Sequence, residues 1–283
     1  MTDLAVDLGG TRLKAGRLED GELAEAELLT LEHGGSWRPA LEKAKEHFGP
    51  VDGVGLCVPG IVDDNRVLAL PGKLRGIEGA DLAAAFGLPT LVFNDALAYG
   101  VGEAARGAGR GHQRVVTVTI GTGVGVAVVE DGAPLGRGPL GGGLLGGQIP
   151  LPGRAGGPLD SSGRAGTFEA RCQASSLLTE IPIASDLVEA YRLLDNGDAA
   201  AVAGFERYRS WLVTGLTALA LAYAPSVIVV GGGAAQPQLL EGVEEALASN
   251  LWRGQSVEVR PAQLGDSAAL AGLGVLLQRR PAS

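Results

Sequence analysis

One short pattern occurs twice. Leu4-Ala5-Val6-Asp7-Leu8 is an apolar run that breaks at Gly9-Gly10-Thr11; residues 13–18 resume it, and Asp20-Gly21 ends it. Residues 115–120 form a second such run. It breaks at Gly121-Thr122-Gly123-Val124-Gly125, resumes over 126–129 and ends at Asp131-Gly132. Short apolar runs bounded by Gly-rich breaks read as strands, so each copy reads as a hairpin. Each hairpin opens one half of the chain, and the Gly-rich stretch Gly107-Ala108-Gly109-Arg110-Gly111 lies between them. The expectation is an internally duplicated α/β protein. Its first lobe would be residues 1–111 plus 264–283 and its second residues 112–263, with a cleft between them.

The remaining pattern agrees with an α/β fold. Residues 37–48 have helical spacing, stopped by Gly49-Pro50. Residues 51–58 and 91–93 read as buried strands. Asn94-Asp95 opens a helix that runs to about Arg106. Residues 138–166 are Gly-rich and aperiodic and read as loop. Ala/Leu-rich helices follow over 167–223. A strand at 227–230 ends at Gly231-Gly232-Gly233, and a helix (about 237–249), a strand (about 257–260) and a last helix (about 267–278) close the chain. Alternating strands and helices favour layered α/β packing.

Composition narrows the function. The chain has 283 residues, and its 46 glycines show no collagen-like period. A formal net charge of −9 argues against nucleic-acid or anionic-membrane partners. Any bound anion must then be held by local backbone donors. No apolar run approaches a membrane span. Two cysteines without paired spacing, and no basic leader after Met1, lead to the expectation of a reduced, cytoplasmic protein. With a hairpin beginning at residue 3, the expectation is that no helix-turn-helix module lies upstream.

Three glycine clusters and one acid are candidates for chemistry. Gly9, Gly10 and Thr11, and likewise Gly121, Thr122 and Gly123, sit where consecutive N–H groups can form an anion nest. An ordinary turn would use the same glycines. Two such turns in equivalent places suggest a pair gripping one polyphosphate. Asp7, at a strand end, is placed to hold Mg²⁺ through water. Gly231, Gly232 and Gly233, between a strand and a helix, suit close approach to a nucleotide. Gly141 to Gly146 matches G-x-G-x-x-G in letters, but lacks the preceding strand and the following acid, and no Walker sequence occurs. Asp95 reads either as a helix cap or as a general base, with Asn94 beside it for a polyol hydroxyl. His33, His47 and His112 share no spacing; Cys57 reads as core.

In order along the chain, these segments resemble the ROK family (repressors, open reading frames and kinases) of the actin-like, hexokinase-like ATPase superfamily. Asp7 to Thr11 resembles its first phosphate motif and Ile120 to Gly125 its second. Pro59-Gly60-Ile61-Val62-Asp63 resembles its P-G-x-V-D segment. Asn94-Asp95-Ala96 with Gly102-Glu103-Ala104 resembles its catalytic helix, Pro225 to Gly233 its adenosine segment, and Leu264 to Leu270 its last helix. The resemblance implies two ribonuclease-H-like lobes around a cleft and ATP- and Mg²⁺-dependent phosphorylation of a sugar hydroxyl, with Asp95 as base. It places Pro59, Gly60, Asn94, Gln148 and Glu169 at the sugar and implies a homodimer. Two departures stand out. The sugar motif G-E-x-G-H aligns with Leu144-Leu145-Gly146-Gly147-Gln148, so Leu145 replaces the Glu and Gln148 the His. The zinc motif C-x-C-G-x-x-G-C-x-E aligns with residues 160–169, where all three cysteines are absent and Glu169 survives. The expectation is therefore no zinc, and either an active carbohydrate kinase with altered specificity or a non-catalytic or weakly active sugar- or nucleotide-binding protein.

Overall fold

The computed structural model describes residues 1–10, 12–30, 36–63, 65–70, 74–135, 146–153 and 156–279. The elements run β1 (Thr2–Leu8), β2 (Arg12–Glu19), β3 (Glu22–Thr30), α1 (Arg38–Phe48), β4 (Gly53–Val58), β5 (Ile61–Asp63), β6 (Arg66–Ala69), α2 (Leu82–Phe86), β7 (Thr90–Asn94) and α3 (Asp95–Arg106). They continue β8 (Arg114–Ile120), β9 (Val124–Glu130), β10 (Ala133–Pro134), α4 (Phe168–Cys172), α5 (Ala174–Glu180), α6 (Leu187–Asp195), α7 (Ala199–Tyr223), β11 (Val227–Gly231), α8 (Val243–Ala248), β12 (Glu258–Pro261) and α9 (Ala268–Gln278). Two compact units result. One comprises Met1–Gly111, Ala127–Leu144 and Asp266–Ser283, the other His112–Val126 and Leu145–Gly265.

The duplication read from the sequence is present in the strand order. One five-stranded sheet runs β3-β2-β1-β4-β7, the other β10-β9-β8-β11-β12. In the first, β1 is antiparallel to β2 and parallel to β4, and β4 is parallel to β7. In the second, β11 lies parallel to both β8 and β12. The carboxyl ends of β1, β4 and β7 therefore share one edge, and those of β8, β11 and β12 another. In open α/β sheets that edge is where ligands bind.

Strand alternation decides what each face of the first sheet meets. Leu4, Val6 and Leu8 of β1, with Val54, Leu56 and Val58 of β4, join Trp37, Leu41, Ala44 and Phe48 in one core. Leu41, Ala44 and Phe48 recur at helical spacing, which gives α1 its buried stripe. The opposite face carries Ala5 and Cys57, against Ala98 of α3 and Leu270, Leu273 and Leu277 of α9. That face is shallow by composition. Gly16, Ala5, Gly55 and Leu91 are register partners across four strands. A Cβ on Gly55 would lie 3.0 Å from Leu277 Cδ1, and one on Gly16 only 3.3 Å from Leu270 Cδ1. The small row is a trough in which α9 lies.

Helices α3 and α9 then meet backbone to backbone. A Cβ on Gly102 would fall 2.0 Å from the Ala268 carbonyl oxygen; one on Gly272 would fall 1.8 Å from that of Ala98. Leu97 and Val101 of α3 and Leu276 of α9 also bury against Val129 of β9. Among the described residues no helix is long and apolar enough to cross a membrane.

Most expected elements are present with ends shifted by a residue or two. Four were not read from the sequence, among them the two-residue β10. Strand β3 alternates weakly and leaves Leu28 exposed. The β5–β6 hairpin turns at a non-Gly residue, Asn65, with φ 62°. Helix α2 spans five residues and is fixed by its caps, with the Asp81 side chain accepting the Ala84 N–H and Gly87 left-handed at φ 66°. The stretch expected as a helix at about 237–249 divides into a 3₁₀ turn, Pro237–Leu240, and α8.

Gly272→Ala is expected to lower stability by about 1–3 kcal/mol, because backbone cannot retreat from an added methyl as a side chain can. Urea denaturation measures it. Gly76→Ala is the comparison, since a Cβ there meets nothing within 4 Å; its residual effect reports the strain of a residue at φ 73°.

Candidate active site

On β1 the side chain two residues after Ala5 is Asp7, so Asp7 points to the same face as the trough, one row nearer the carboxyl edge. Its register partners are Lys14 on β2 and Cys57 on β4, and Cys57 pairs in turn with Phe93 on β7. The Cys57 thiol donates to Asp7 Oδ1 at 3.6 Å. Burial, followed by the Asp7 and Asp95 charges, pushes the Cys57 thiol far above its ordinary range, so it stays protonated and can donate. Asp7 itself is pushed up to about 6, first by burial and then by the Asp95 charge; Lys14 and the Cys57 hydrogen bond act the other way. Lys14 Nζ binds Asp266 Oδ1 at 2.8 Å, just ahead of α9. That hydrogen bond and charge hold Asp266 below the usual carboxylate range. A parity rule and two helix starts thus gather Asp7, Asp95, Asp266 and Lys14 at one edge. Lys14 was absent from the sequence reading, Asp266 entered it only within the Leu264 to Leu270 match, and Cys57 only as core. The signal for Lys14 was its place opposite Asp7 in the first hairpin; Asp266 is distant in sequence and had none.

The sequence left open whether Asp95 only caps its helix. The cap is Asn94: its Oδ1 accepts the Leu97 N–H at 3.1 Å, while its Nδ2 donates to the Gly60 carbonyl at 2.9 Å. Asp95, in the first turn of α3, accepts the adjacent Ala96 N–H at 2.8 Å. Gly60 has φ +91°, and a Cβ there would lie 2.3 Å from the Ala69 carbonyl oxygen, so the Pro59-Gly60 turn admits no other residue without rearrangement. Pro59 itself is buried. Glu103 is structural. It is fully buried and its carboxylate accepts the Ala108 N–H at 2.9 Å, closing the end of α3.

In the other unit, the turn after β8 and the glycines after β11 adjoin. Gly231 pairs with Thr119, the Ala234 N–H donates to the Ile120 carbonyl at 3.0 Å, and a Cβ on Gly232 would lie 2.5 Å from that same oxygen. Gly121 and Gly233 face open space, and Thr122 is exposed. Not every N–H in these turns is available to an anion. Gly9 donates to the Arg12 carbonyl at 2.9 Å, and Gly121 to that of Gly123 at 2.9 Å. Glu169, in the first turn of α4, accepts the Val124 N–H at 3.1 Å and the Ser161 N–H at 2.6 Å, one on each oxygen. It braces the turn at Gly123, where a Cβ would lie 2.8 Å from Glu169 Oε2. Gln148 Oε1 accepts from Arg164 Nη2. Thr11 and Leu145 lie outside the described residues.

Two ions can be weighed against these donors. A carboxylate raised toward neutrality by burial and a second carboxylate suits a divalent cation, and Mg²⁺ is commonly held by one or two carboxylates plus substrate phosphates. Asp7 fits that role. Zinc does not fit residues 148 and 160–167. Gln148, Asp160, Ser162 and Thr167 offer neither thiolate nor imidazole, and their polar atoms are engaged with one another and with Arg164. Among the described residues no group of three or more His, Cys, Asp or Glu is placed to hold a metal.

The ROK family model matches residues 4–280, and the chain belongs to the ROK family. It is similar to the ROK hexokinase of Thermus thermophilus (28% identity, 97% of each chain, TM-score 0.82). It is also similar to a ROK glucokinase from Streptomyces griseus solved with glucose and AMPPNP (26% identity, 98% and 99% of the two chains, TM-score 0.78). The fold is thus the actin-like ATPase fold of these sugar kinases. Among curated proteins the chain is 27% identical to N-acetylgalactosamine kinase AgaK of Shewanella sp. strain ANA-3, over 96% of this chain and 95% of that protein. It is 26% identical to the xylose repressor of Bacillus spizizenii, over 78% of this chain; the match spans 59% of the repressor.

An ionised Asp7 is less favourable in the folded protein than in the unfolded chain. Its contribution therefore favours folding below pH about 4 and fades as the pH rises through about 6. Asp7→Asn should gain in melting temperature relative to wild type as the pH goes from 4 to 7 without added metal, and Mg²⁺ should narrow the difference. Thermal melts across that range check it. A pH-independent difference would remove Asp7 from the carboxylate pair.

Proposed function

We propose that this chain is an ATP-dependent kinase that phosphorylates a hydroxyl of a hexose or related sugar. The observation that carries the reading is the pair Asp7 and Asp95 at one carboxyl edge, with Asn94 rather than Asp95 capping α3. One acid is placed for a cation, the other for a proton. In this reading Asp95 accepts the hydroxyl proton as the oxygen attacks the γ-phosphoryl group. Asn94, Gly60 and Pro59 shape the sugar side, with Gln148 and the remaining lone pairs of Glu169. Main-chain N–H groups among Gly9, Gly10 and Thr11, and among Gly121, Thr122 and Gly123, orient the phosphates, and Gly231 to Gly233 admit the adenosine. Mg²⁺ at Asp7 would offset charge on the phosphates. Lys14 offsets part of the negative charge at that corner, and its ion pair with Asp266 fixes its place there. Catalysis is then positioning and electrostatics, with little covalent chemistry left to the protein.

Asp95→Asn should retain the fold and nucleotide binding while cutting turnover by ~10²–10⁴, the usual worth of a general base. ADP release measured over a panel of hexoses and N-acetylhexosamines tests both the base and the substrate class. Near-normal turnover in the variant would sink the assignment.

The similarity to a xylose repressor and the Leu145 replacement favour a second reading, a sugar-binding protein with little or no turnover. Sugar binding by calorimetry without ADP release from any sugar in the panel would select it. In either case the protein should purify without stoichiometric zinc and be indifferent to zinc chelators; metal analysis reads this directly.

A further inference from the structure

The strongest feature left without a role is the loop before α4. Asp160 is charged, yet its side chain is fully buried. Oδ1 accepts the Ser162 N–H at 2.9 Å, the Ser162 hydroxyl at 2.6 Å and the Arg164 N–H at 2.9 Å, and Oδ2 accepts the Thr167 hydroxyl at 3.0 Å. Arg164 Nε lies 3.8 Å away and also donates to Ser162 Oγ at 2.9 Å. Burial presses the Asp160 carboxyl upward, but the donors of Ser162, Arg164 and Thr167 prevail and hold it below the usual carboxylate range. A carboxylate that gathers four donors from seven residues folds a loop around itself.

The loop is coupled onward. Thr167 Oγ1, held by Asp160, accepts the Ala170 N–H at 3.2 Å and caps α4. That cap orients the turn bearing Glu169, whose oxygens take the Val124 and Ser161 N–H groups. Gln173 Nε2 ties the end of α4 back to the Leu159 carbonyl at 2.9 Å, and the Ala174 N–H donates to the Gly121 carbonyl at 2.8 Å. The turn at Gly121 to Gly123 is therefore held by Glu169 of α4 at one end and by Ala174, the first residue of α5, at the other.

We infer that Asp160 is a positioning residue for the nucleotide: through Thr167 and α4 it sets Glu169, and through Glu169 it sets the Gly121–Gly123 turn. The link to nucleotide rests on the kinase reading of that turn; the link to the turn itself does not.

Hydrogen exchange followed by mass spectrometry, with KM values for ATP and sugar, tests it on the full chain. In Asp160→Ala, peptides covering 121–124 should exchange about tenfold faster and the ATP KM should rise about tenfold; the sugar KM should rise as well, because Glu169 also lines the sugar side. Asp160→Asn, which keeps an acceptor, should recover part of both effects. Thr167→Val, which removes only the linking hydroxyl, should reproduce them, and it serves if Asp160→Ala does not fold. Asp198→Ala is the control, because it removes the cap of α7 in the same unit, where Asp198 accepts the Ala200 and Ala201 N–H groups. Unchanged exchange at 121–124 in the Asp160 and Thr167 variants, or an equal rise in Asp198→Ala, would overturn the inference. Faster exchange at 121–124 in a protein that neither binds AMPPNP nor turns over ATP would uphold the positioning role and overturn the kinase reading instead.

Discussion

The contact between α3 and α9 at Gly102 and Gly272 is the constraint on which the first unit depends. Each glycine lies against a carbonyl oxygen of the other helix, closer than any side chain would allow. The pair can sit this deep because the sheet beneath carries Gly16, Ala5 and Gly55 in one register row. Backbone near backbone leaves little freedom to slide, so the N-terminal turns of both helices are fixed above the carboxyl edge of β1 and β7. That is where Asp95 begins α3 and Asp266 precedes α9.

Those positions create an electrostatic problem that the same edge solves. Asp7, Asp95 and Asp266 are like charges on one side of a sheet, and burial makes their proximity more unfavourable than it would be in water. Lys14 pairs with Asp266 and opposes the upward push on Asp7. The protonated Cys57 thiol adds a weak donor to Asp7 without adding charge. What remains is a carboxyl raised to about 6, whose ionised form is unfavourable and which a divalent cation would relieve. The strain on Asp7 and its fitness for a cation have the same cause.

The second unit meets its constraint with different chemistry. Its glycine turn has little of its own to hold it: one short N–H to carbonyl bond, from Gly121 to Gly123, closes it. Rigidity comes from Glu169 on one side and Ala174 on the other, and α4 spans only five residues. So short a helix depends on its cap, which makes Thr167 and the Asp160 loop part of the support of the turn. Oxygen donors and one guanidinium fill this loop; sulfur and imidazole do not enter it.

The sequence by itself determined the duplicated hairpins, the α/β class, the Gly-rich turns after β1, β8 and β11, and the family. Each of these is a local signal: short apolar runs at β1 and β8, Gly-rich breaks at equivalent places after them, Asn94-Asp95 at the start of a helix. Only the tertiary structure decided what the candidate residues touch. That Asn94 caps α3, that Glu103 closes its far end, and that Glu169 turns to main-chain N–H groups depend on partners between three and 45 residues away. Lys14 meets Asp266 across 252 residues. The alternation of a strand says which face a side chain takes, but not which helix covers that face. Here the reach of α9 back to the first sheet decides it, through a row of residues too small to keep a helix away.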